Sequence, residues 1–480
     1  MLVKFSLENY KSIYDKVELD FRIDPKKHNT KENIEDNPFV LKINNDYISK
    51  LCLFYGHNGS GKTNIFEAIL DICLANVDND FLDDIYKPNI IYGENKESKF
   101  EIEFYSNVLN ENKNDYSLFN YKLNVKNKEI DDKYKKSIQI TKEILTENGN
   151  VVFERINNDL ITNNITSDEK SRMRSDETFI LFLMDIYSTK EKKEFDIIMK
   201  YRKLMISILS TNLGINYLKT PNFTNTFFNE IYNDLDEVNL LEFYISLIKI
   251  ADVGIDNIAF ELDEQYEKIE NITKDMRKTY EENKSKLRED KDFAEKEGYI
   301  DNIISLMENL EALNNKNDNV IKERKKVISY RNGKKASFDE IESDGTKIYA
   351  FHMYNIVKSL KNGSLSLHDE FYGVQSDLIK TVFWLFRKNM YKEVEQTAQL
   401  FMTTHDVMLM DFKNLLLEQI KFVVKEENKT YVYSASDIEG LTKTNLMENY
   451  NKNKLGAKYF PRTYNLPIKM YSNNDMSDKL

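Results

Sequence analysis

Leu51-Cys52-Leu53-Phe54-Tyr55-Gly56-His57-Asn58-Gly59-Ser60-Gly61-Lys62-Thr63 is the stretch that decides how this chain is read. The apolar run Leu51–Tyr55 has the length of a central strand buried on both faces. It stops at Gly56-His57-Asn58-Gly59-Ser60-Gly61-Lys62-Thr63, which fits the phosphate-loop spacing G-x-x-x-x-G-K-[ST]. Helical spacing comes next, at Ile65, Ala68, Ile69 and Ile72. In such a loop the glycines let successive backbone N–H groups turn inward around phosphates. The helix that starts near Lys62 points its positive end at the same phosphates. Lys62 is expected to neutralise β- and γ-phosphate oxygens, and the Thr63 hydroxyl to ligate Mg²⁺. A chance match in a chain this long is roughly a one-in-fifty event. Here a strand and a helix also flank the loop, as phosphate binding requires. The expected ligands are ATP and Mg²⁺.

Outward from this loop, Val3, Phe5 and Leu7, then Val17, Leu19 and Phe21, alternate with polar residues as strands do. A strand pair is expected at Phe100–Tyr105 and Tyr121–Val125. From Ser171 to Asp252 the period becomes helical. Glu261–Lys326, rich in Glu and Lys with a thin apolar stripe, reads as a solvated helical hairpin. Strand patterning returns at Val327–Tyr330, Leu365–Leu367, Leu400–Thr403, Ile420–Val424 and Tyr431–Tyr433, alternating with helices at Thr346–Leu360 and Leu378–Arg387. The expectation is an α/β core interrupted by an α-helical insertion. Its parts are an N-terminal lobe with the phosphate loop at 1–170, a helical lid or insertion at 171–326 and a C-terminal lobe at 327–480.

At 480 residues the chain has room for roughly three average domains. With 41% hydrophobic and 31% charged residues it is too apolar for disorder. A net charge of −12 argues against a generally basic surface that grips nucleic acid without selection, and leaves room for a local basic groove. Cys52 and Cys73 have no partner at metal-ligand spacing and read as small buried hydrophobes suited to a reducing compartment. The N-terminus runs straight into a strand without a signal-peptide layout, and no apolar stretch is long enough to span a bilayer. A cytoplasmic protein with no membrane partner is expected.

A nucleotide site also needs a carboxylate at the end of a second strand. Leu365-Ser366-Leu367-His368-Asp369-Glu370 supplies it. Asp369 is expected to hold Mg²⁺ through its water shell, and Glu370 to polarise the attacking water. Asp-Glu dipeptides are common at strand ends, so the signal lies in its order after the phosphate loop. A third strand, Leu400-Phe401-Met402-Thr403, leads into Thr404-His405-Asp406, where His405 can reach the γ-phosphate. Alone, such a histidine reads as an ordinary core or surface residue. Ser343-Asp344-Gly345 sits at a helix start, where a hydroxyl, free N–H groups and the helix dipole form a short anion site. In isolation it reads as an N-cap.

These motifs together resemble bacterial AAA/ABC-like ATPases related to RecF, SMC and OLD heads, in particular RloA-like members of restriction-linked and abortive-infection loci. The resemblance runs from Phe5-Ser6-Leu7-Glu8-Asn9-Tyr10-Lys11-Ser12 through the phosphate loop, Ala251-Asp252-Val253-Gly254-Ile255 and Glu342-Ser343-Asp344-Gly345-Thr346. It is closest in Ala398–Asp406 and Gln419–Lys425. It implies an ABC-type P-loop NTPase head, a mixed sheet with flanking helices, in which Ser343, Asp344 and Gly345 are the signature segment. It also implies a head-to-head homodimer, or a higher oligomer of dimers, with ATP buried at the interface. The chain departs from the family in lacking a Q-loop glutamine near Lys87-Pro88-Asn89. It also lacks the usual dimer-contact residues after Glu370, and places Ser366 and His368 where aliphatics are normal.

The resemblance implies a sensor or regulatory ATPase of an antiphage (abortive-infection) system. Such a protein controls a separately encoded effector, a nuclease or other toxin, in response to DNA or a phage-encoded trigger. The alternative is a RecF-like DNA-repair ATPase that clamps DNA. SMC-type arms need far more helix than the insertion offers at about 1.5 Å per residue. A small-molecule kinase is disfavoured by the signature segment and Thr404-His405-Asp406. Asp78-Asn79-Asp80 and Asp234-Leu235-Asp236 match a nuclease motif only by spacing and read better as solvated loops.

Overall fold

The computed structural model describes residues 1–27, 34–78, 82–107, 115–127, 138–157, 159–161, 171–187, 193–212, 238–251, 254–262, 325–371, 373–388 and 397–458. The chain divides into two compact units, one of Met1–Leu213, Lys358–Phe371 and Gln375–Leu480, the other of Gly214–Val357 and Tyr372–Val374.

The first unit is built on a five-stranded sheet of order β14 (Leu365–Asp369), β15 (Gln399–Thr404), β5 (Leu51–Tyr55), β16 (Ile420–Glu426) and β17 (Lys429–Ser434). The first four run parallel, and β17 returns antiparallel. All five residues of β5 are buried, as an apolar run without alternation requires of a strand covered on both faces. Leu367 pairs with Phe401, which pairs with Cys52; Asp369 pairs with Thr403, and Thr404 with Tyr55. This register brings the carboxyl ends of β14, β15 and β5 to one level. Glu370, His405 and Gly56, each just past the end of its strand, therefore emerge at the same edge.

Among the described residues β14 is an edge strand of that sheet, and its outer side is met by a side chain. Asn212, the last residue of a helix named below, is 1% exposed. Its amide donates to the Leu365 carbonyl at 2.7 Å, and its Oδ1 accepts the Leu367 N–H at 2.7 Å. One asparagine thus satisfies the two backbone groups that another strand would have paired.

A seven-stranded antiparallel sheet completes this unit, in the order β10 (Asp159–Ile161), β9 (Asn150–Ile156), β8 (Ile138–Glu147), β7 (Ser117–Asn127), β6 (Ser98–Ser106), β1 (Leu2–Glu8) and β2 (Val17–Asp20). Alternation sorts its faces. Phe100, Ile102, Phe104, Phe119, Tyr121 and Leu123 point inward, while Lys99 pairs with Glu8 and Lys122 with Glu101 outside. The helices of the unit are α1 (Lys62–Leu74), α2 (Phe179–Tyr187) and α3 (Lys193–Asn212), then α6 (Ser376–Leu385) and α7 (Lys443–Asn451). Tyr201 of α3 lies 5.0 Å from the Tyr121 ring and 5.7 Å from that of Phe104. Glu143 and Arg155, both fully buried, stand 3.7 Å apart. Tyr121 OH and Phe179 N–H also donate to Glu143, at 2.9 and 2.8 Å, so this pair is not left with bare charge. β3 (Val40–Ile43) and β4 (Asp46–Ser49) form a separate hairpin.

The second unit holds α4 (Val238–Ala251), β11 (Asn257–Leu262), β12 (Lys325–Arg331) and β13 (Lys334–Ser337), and the start of α5 (Asp344–Asn362). The three strands form one antiparallel sheet. The expected helical hairpin at Glu261–Lys326 falls almost wholly on 263–324, outside the described residues. Its two ends are adjacent, because Leu262 pairs with Lys325. Tyr244 OH donates to the Ala350 carbonyl at 3.1 Å and ties α4 to α5.

His352 of α5 is 3% exposed, and burial pulls its imidazole down to about 3. The unfolded chain takes up this proton near pH 6.5 while the folded chain refuses it until about pH 3. Stability carried by neutral His352 is therefore complete above pH 6.5 and lost as the pH falls toward 3. Between pH 7 and 5 this costs about 2 kcal/mol. Urea unfolding at the two pH values should show this slope, and His352→Phe should flatten it by that amount. An unchanged slope would mean that other groups carry the acid sensitivity.

Candidate functional site

The loop between β5 and α1 is shaped by contacts on every side. Gly61 caps α1 at φ 106°, a left-handed conformation that side chains resist. A Cβ there would also stand 2.5 Å from Thr430 Oγ1 and 2.7 Å from Ser12 Oγ. At Gly56 a Cβ would collide with the Val423 carbonyl of β16. Thr430 Oγ1 donates to the Ser60 carbonyl at 2.6 Å, and Asn64 Nδ2 to Ser12 Oγ at 2.7 Å. The Asn9–Ser12 turn and β17 thus buttress the loop. No side chain caps the N-terminus of α1, so its first N–H groups face the loop.

Lys62 is 6% exposed and curls back over the loop. Its ammonium donates to the Gly56 carbonyl at 2.7 Å and the His57 carbonyl at 3.3 Å. It also lies 3.0 Å from His405 Nε2 and 3.8 Å from Glu370 Oε1. Burial lowers its pKa, while Glu370 and Asp369 pull the other way and favour the charged form. Glu370 and His405 meet directly, Oε1 to Nε2, at 3.0 Å. Glu370 reaches this point from a left-handed backbone, φ 65°, which is uncommon for a residue with a side chain and turns the chain sharply off β14.

Asp369 is held from two sides. Thr63 Oγ1 donates to its Oδ2 at 2.7 Å, and Thr403 Oγ1 to its Oδ1 at 2.7 Å. Thr63 and Asp369 together present hard oxygen donors, the kind Mg²⁺ takes beside phosphate oxygens and water, so the donor set fits that ion. Among the described residues no group of three or more His, Cys, Asp or Glu side chains is placed to hold a metal. A metal at this site would draw its remaining ligands from nucleotide and solvent.

Ser343, Asp344 and Gly345 belong to the second unit. Helix α5 begins at Asp344, two residues before the expected start. Ser343 Oγ accepts the Thr346 N–H at 3.1 Å, so within this chain it acts as a helix cap. The turn is pinned at its base. Glu342, 4% exposed, accepts Ser329 Oγ at 2.5 Å and Arg331 Nε at 3.1 Å, and forms a second contact with Arg331 Nη2. Asp344, by contrast, projects a side chain that is 96% exposed.

The irregular strand before Asp369 has a local explanation. Ser366 and His368, 0% and 1% exposed, bond to each other at 2.7 Å, which satisfies both polar groups inside the sheet layer. Thr403, Thr430 and Ser12 escaped sequence reading as site residues. Only the register of β14 against β15 shows that Thr403 faces Asp369.

No helix among the described residues is long and apolar enough to cross a membrane. No family model and no curated protein matches the chain. Among solved structures it is similar to the SMC head domain from Thermotoga maritima, at 12% identity and a TM-score of 0.38, covering 90% of this chain and 98% of that one. It is likewise similar to the Smc head domain of Pyrococcus furiosus bound to the C-terminal domain of ScpA, at 15% identity and TM-score 0.34, covering 94% and 99%. A structure of the recombination mediator protein RecF-ATPrS in the RecFOR pathway is similar at 12% identity and TM-score 0.30, covering 88% and 97%. At these scores the likenesses say nothing about what this chain does.

Proposed function

We propose that this chain is an ABC-type ATPase that binds Mg·ATP at Gly56–Thr63 and hydrolyses it. The observation that carries the reading is the convergence of Lys62, Glu370 and His405, with contacts of 3.0–3.8 Å, beside the Thr63–Asp369 pair at 2.7 Å. Phosphoryl transfer asks a protein mainly for position and charge. The loop N–H groups and Lys62 bind the phosphates. Glu370 accepts a proton from the attacking water, and His405 bonds the γ-phosphate and holds Glu370 in place. Thr63 and Asp369 would hold Mg²⁺, which supplies charge neutralisation at the β- and γ-phosphate oxygens.

The proposal extends to a homodimer in which Ser343–Gly345 of one copy closes on nucleotide held by the other. Family resemblance supports it, as does the exposure of Asp344 above a pinned base. The same resemblance supports a regulatory role in antiphage defence, with ATP state controlling a separate effector. Isolation of the native complex and identification of what co-purifies tests that role. Salt-dependent duplex binding by the isolated chain would favour the RecF-like alternative instead.

Subunit mixing tests the shared site. Lys62→Ala and Ser343→Arg homodimers should both be inactive, the first for lack of a phosphate cation, the second because a bulky cation blocks closure. A mixed dimer regains one intact loop facing one intact signature, and ATPase activity should return to at most about half of parental per dimer. Absence of recovery despite demonstrated exchange means either strict coupling of the two sites or a signature acting in cis. A mixed dimer of Glu370→Gln with parental chain separates these, since strict coupling silences it too.

A further inference from the structure

We propose that Thr403 is a specificity-determining residue, setting the preference of the Thr63–Asp369 pair for Mg²⁺ over Ca²⁺; the inference rests on the metal role proposed above for Asp369. Thr403 is fully buried on β15, directly opposite Asp369 in the strand register. Its hydroxyl donates to Asp369 Oδ1 at 2.7 Å, while Thr63 Oγ1 donates to Oδ2 at 2.7 Å. The two bonds differ in what can displace them. Thr63 is exposed and its hydroxyl can turn toward an ion. Thr403 has 0% exposure and sits where neither solvent nor a ligand can reach. Asp369 is therefore held in one orientation, with Oδ1 tethered to the buried hydroxyl and Oδ2 turned to the exposed Thr63 side.

That restriction discriminates between the two cations. Mg²⁺ demands near-octahedral geometry, keeps several of its waters and is content with one carboxylate oxygen, direct or through water. Ca²⁺ takes six to eight oxygens and gains from carboxylates that swing to bidentate coordination. With Oδ1 locked by Thr403, Asp369 cannot swing. Freed of the lock, the same carboxylate can rotate, losing its fit to the smaller ion and becoming open to the larger one.

The test measures binding of a non-hydrolysable ATP analogue to the full chain by calorimetry, in saturating Mg²⁺, in saturating Ca²⁺ and in chelator. Thr403→Val keeps the branched shape and strand preference while removing the hydroxyl. It should lower the ratio of Mg-complex to Ca-complex affinity about tenfold, with metal-free affinity within about twofold of parental; hydrogen bonds to charged groups are of that strength. Thr403→Ser restores a hydroxyl and should restore the parental ratio. If Thr403→Val does not fold, Thr403→Ala makes the same comparison. An unchanged ratio in a folded variant overturns the proposal, as does an equal loss with both ions, which marks a merely loosened site. Asp369→Asn locates any failure. If it leaves the gain from either metal untouched, the metal reading of Asp369 is at fault; if it abolishes that gain while Thr403→Val changes nothing, only the role of Thr403 falls.

Discussion

Glu370→Gln is expected to slow ATP turnover by roughly two orders of magnitude or more, the usual scale for losing a general base. Binding should survive, because glutamine keeps the length and shape of the side chain and the 3.0 Å approach to His405 Nε2 can persist through its amide. What disappears is the carboxylate that takes a proton from water. The left-handed backbone at φ 65° is no better tolerated by glutamine than by glutamate, so stability should hardly change. With ATP bound and chemistry stopped, the dimer should accumulate in size-exclusion chromatography. Hydrolysis at the parental rate would place the base elsewhere and remove the proposed function of the β14 end.

Lys62→Ala should weaken ATP binding by about tenfold or more, since charge-assisted bonds of this type are worth about 1.5–3 kcal/mol each. The fold should tolerate the change. The ammonium's partners are the Gly56 and His57 carbonyls, His405 Nε2 and Glu370 Oε1, all at the site itself. Calorimetry with unchanged affinity would sink the phosphate-loop assignment. The two variants separate binding from chemistry: Lys62 acts on the first and Glu370 on the second.

Much of this fold could be read in advance because its decisive elements carry one-dimensional signals. Leu51–Tyr55 is apolar without alternation and proves to be a strand with every residue buried. Phe100–Tyr105 and Tyr121–Val125, expected as a strand pair, do pair in a sheet with one wet face. Several strands went unpredicted although their turns announce them. Asn148-Gly149 joins β8 to β9, and Asn332-Gly333 joins the expected β12 to the unexpected β13, each with positive φ at both residues, as tight hairpins prefer. The Asn44-Asn45 step between β3 and β4 differs from them in having positive φ at Asn44 alone, 52°. Their flanking segments mix Lys, Glu and Asn into the strand pattern, which blurs the two-residue period.

At the candidate site, the meeting of Gly56–Thr63, Asp369, Glu370 and His405 at one sheet edge could be expected, because each ends or succeeds a strand. The pairs that hold them could not. Thr403 with Asp369, Thr430 with Ser60 and Arg331 with Glu342 are products of register and burial, and no spacing along the chain encodes them. Ser343 is a sharper case. Its sequence context fits both a cap and an anion site; the fold uses the hydroxyl as a cap, and only a second copy can test the other use.

The Asn212 amide that meets the outer side of β14 also makes a mechanical joint. The first unit ends its long N-terminal run at Leu213, and the chain passes into the second unit at the next residue. A pull exerted on the chain beyond that point reaches α3 first. Through Asn212 it then reaches two hydrogen bonds, to Leu365 and Leu367, that bear the load side by side. Leu367 is two residues from Asp369 and three from Glu370. Tension at this junction is therefore delivered to the strand that carries Asp369 and leads into Glu370, about 7 to 10 Å along the chain from those residues.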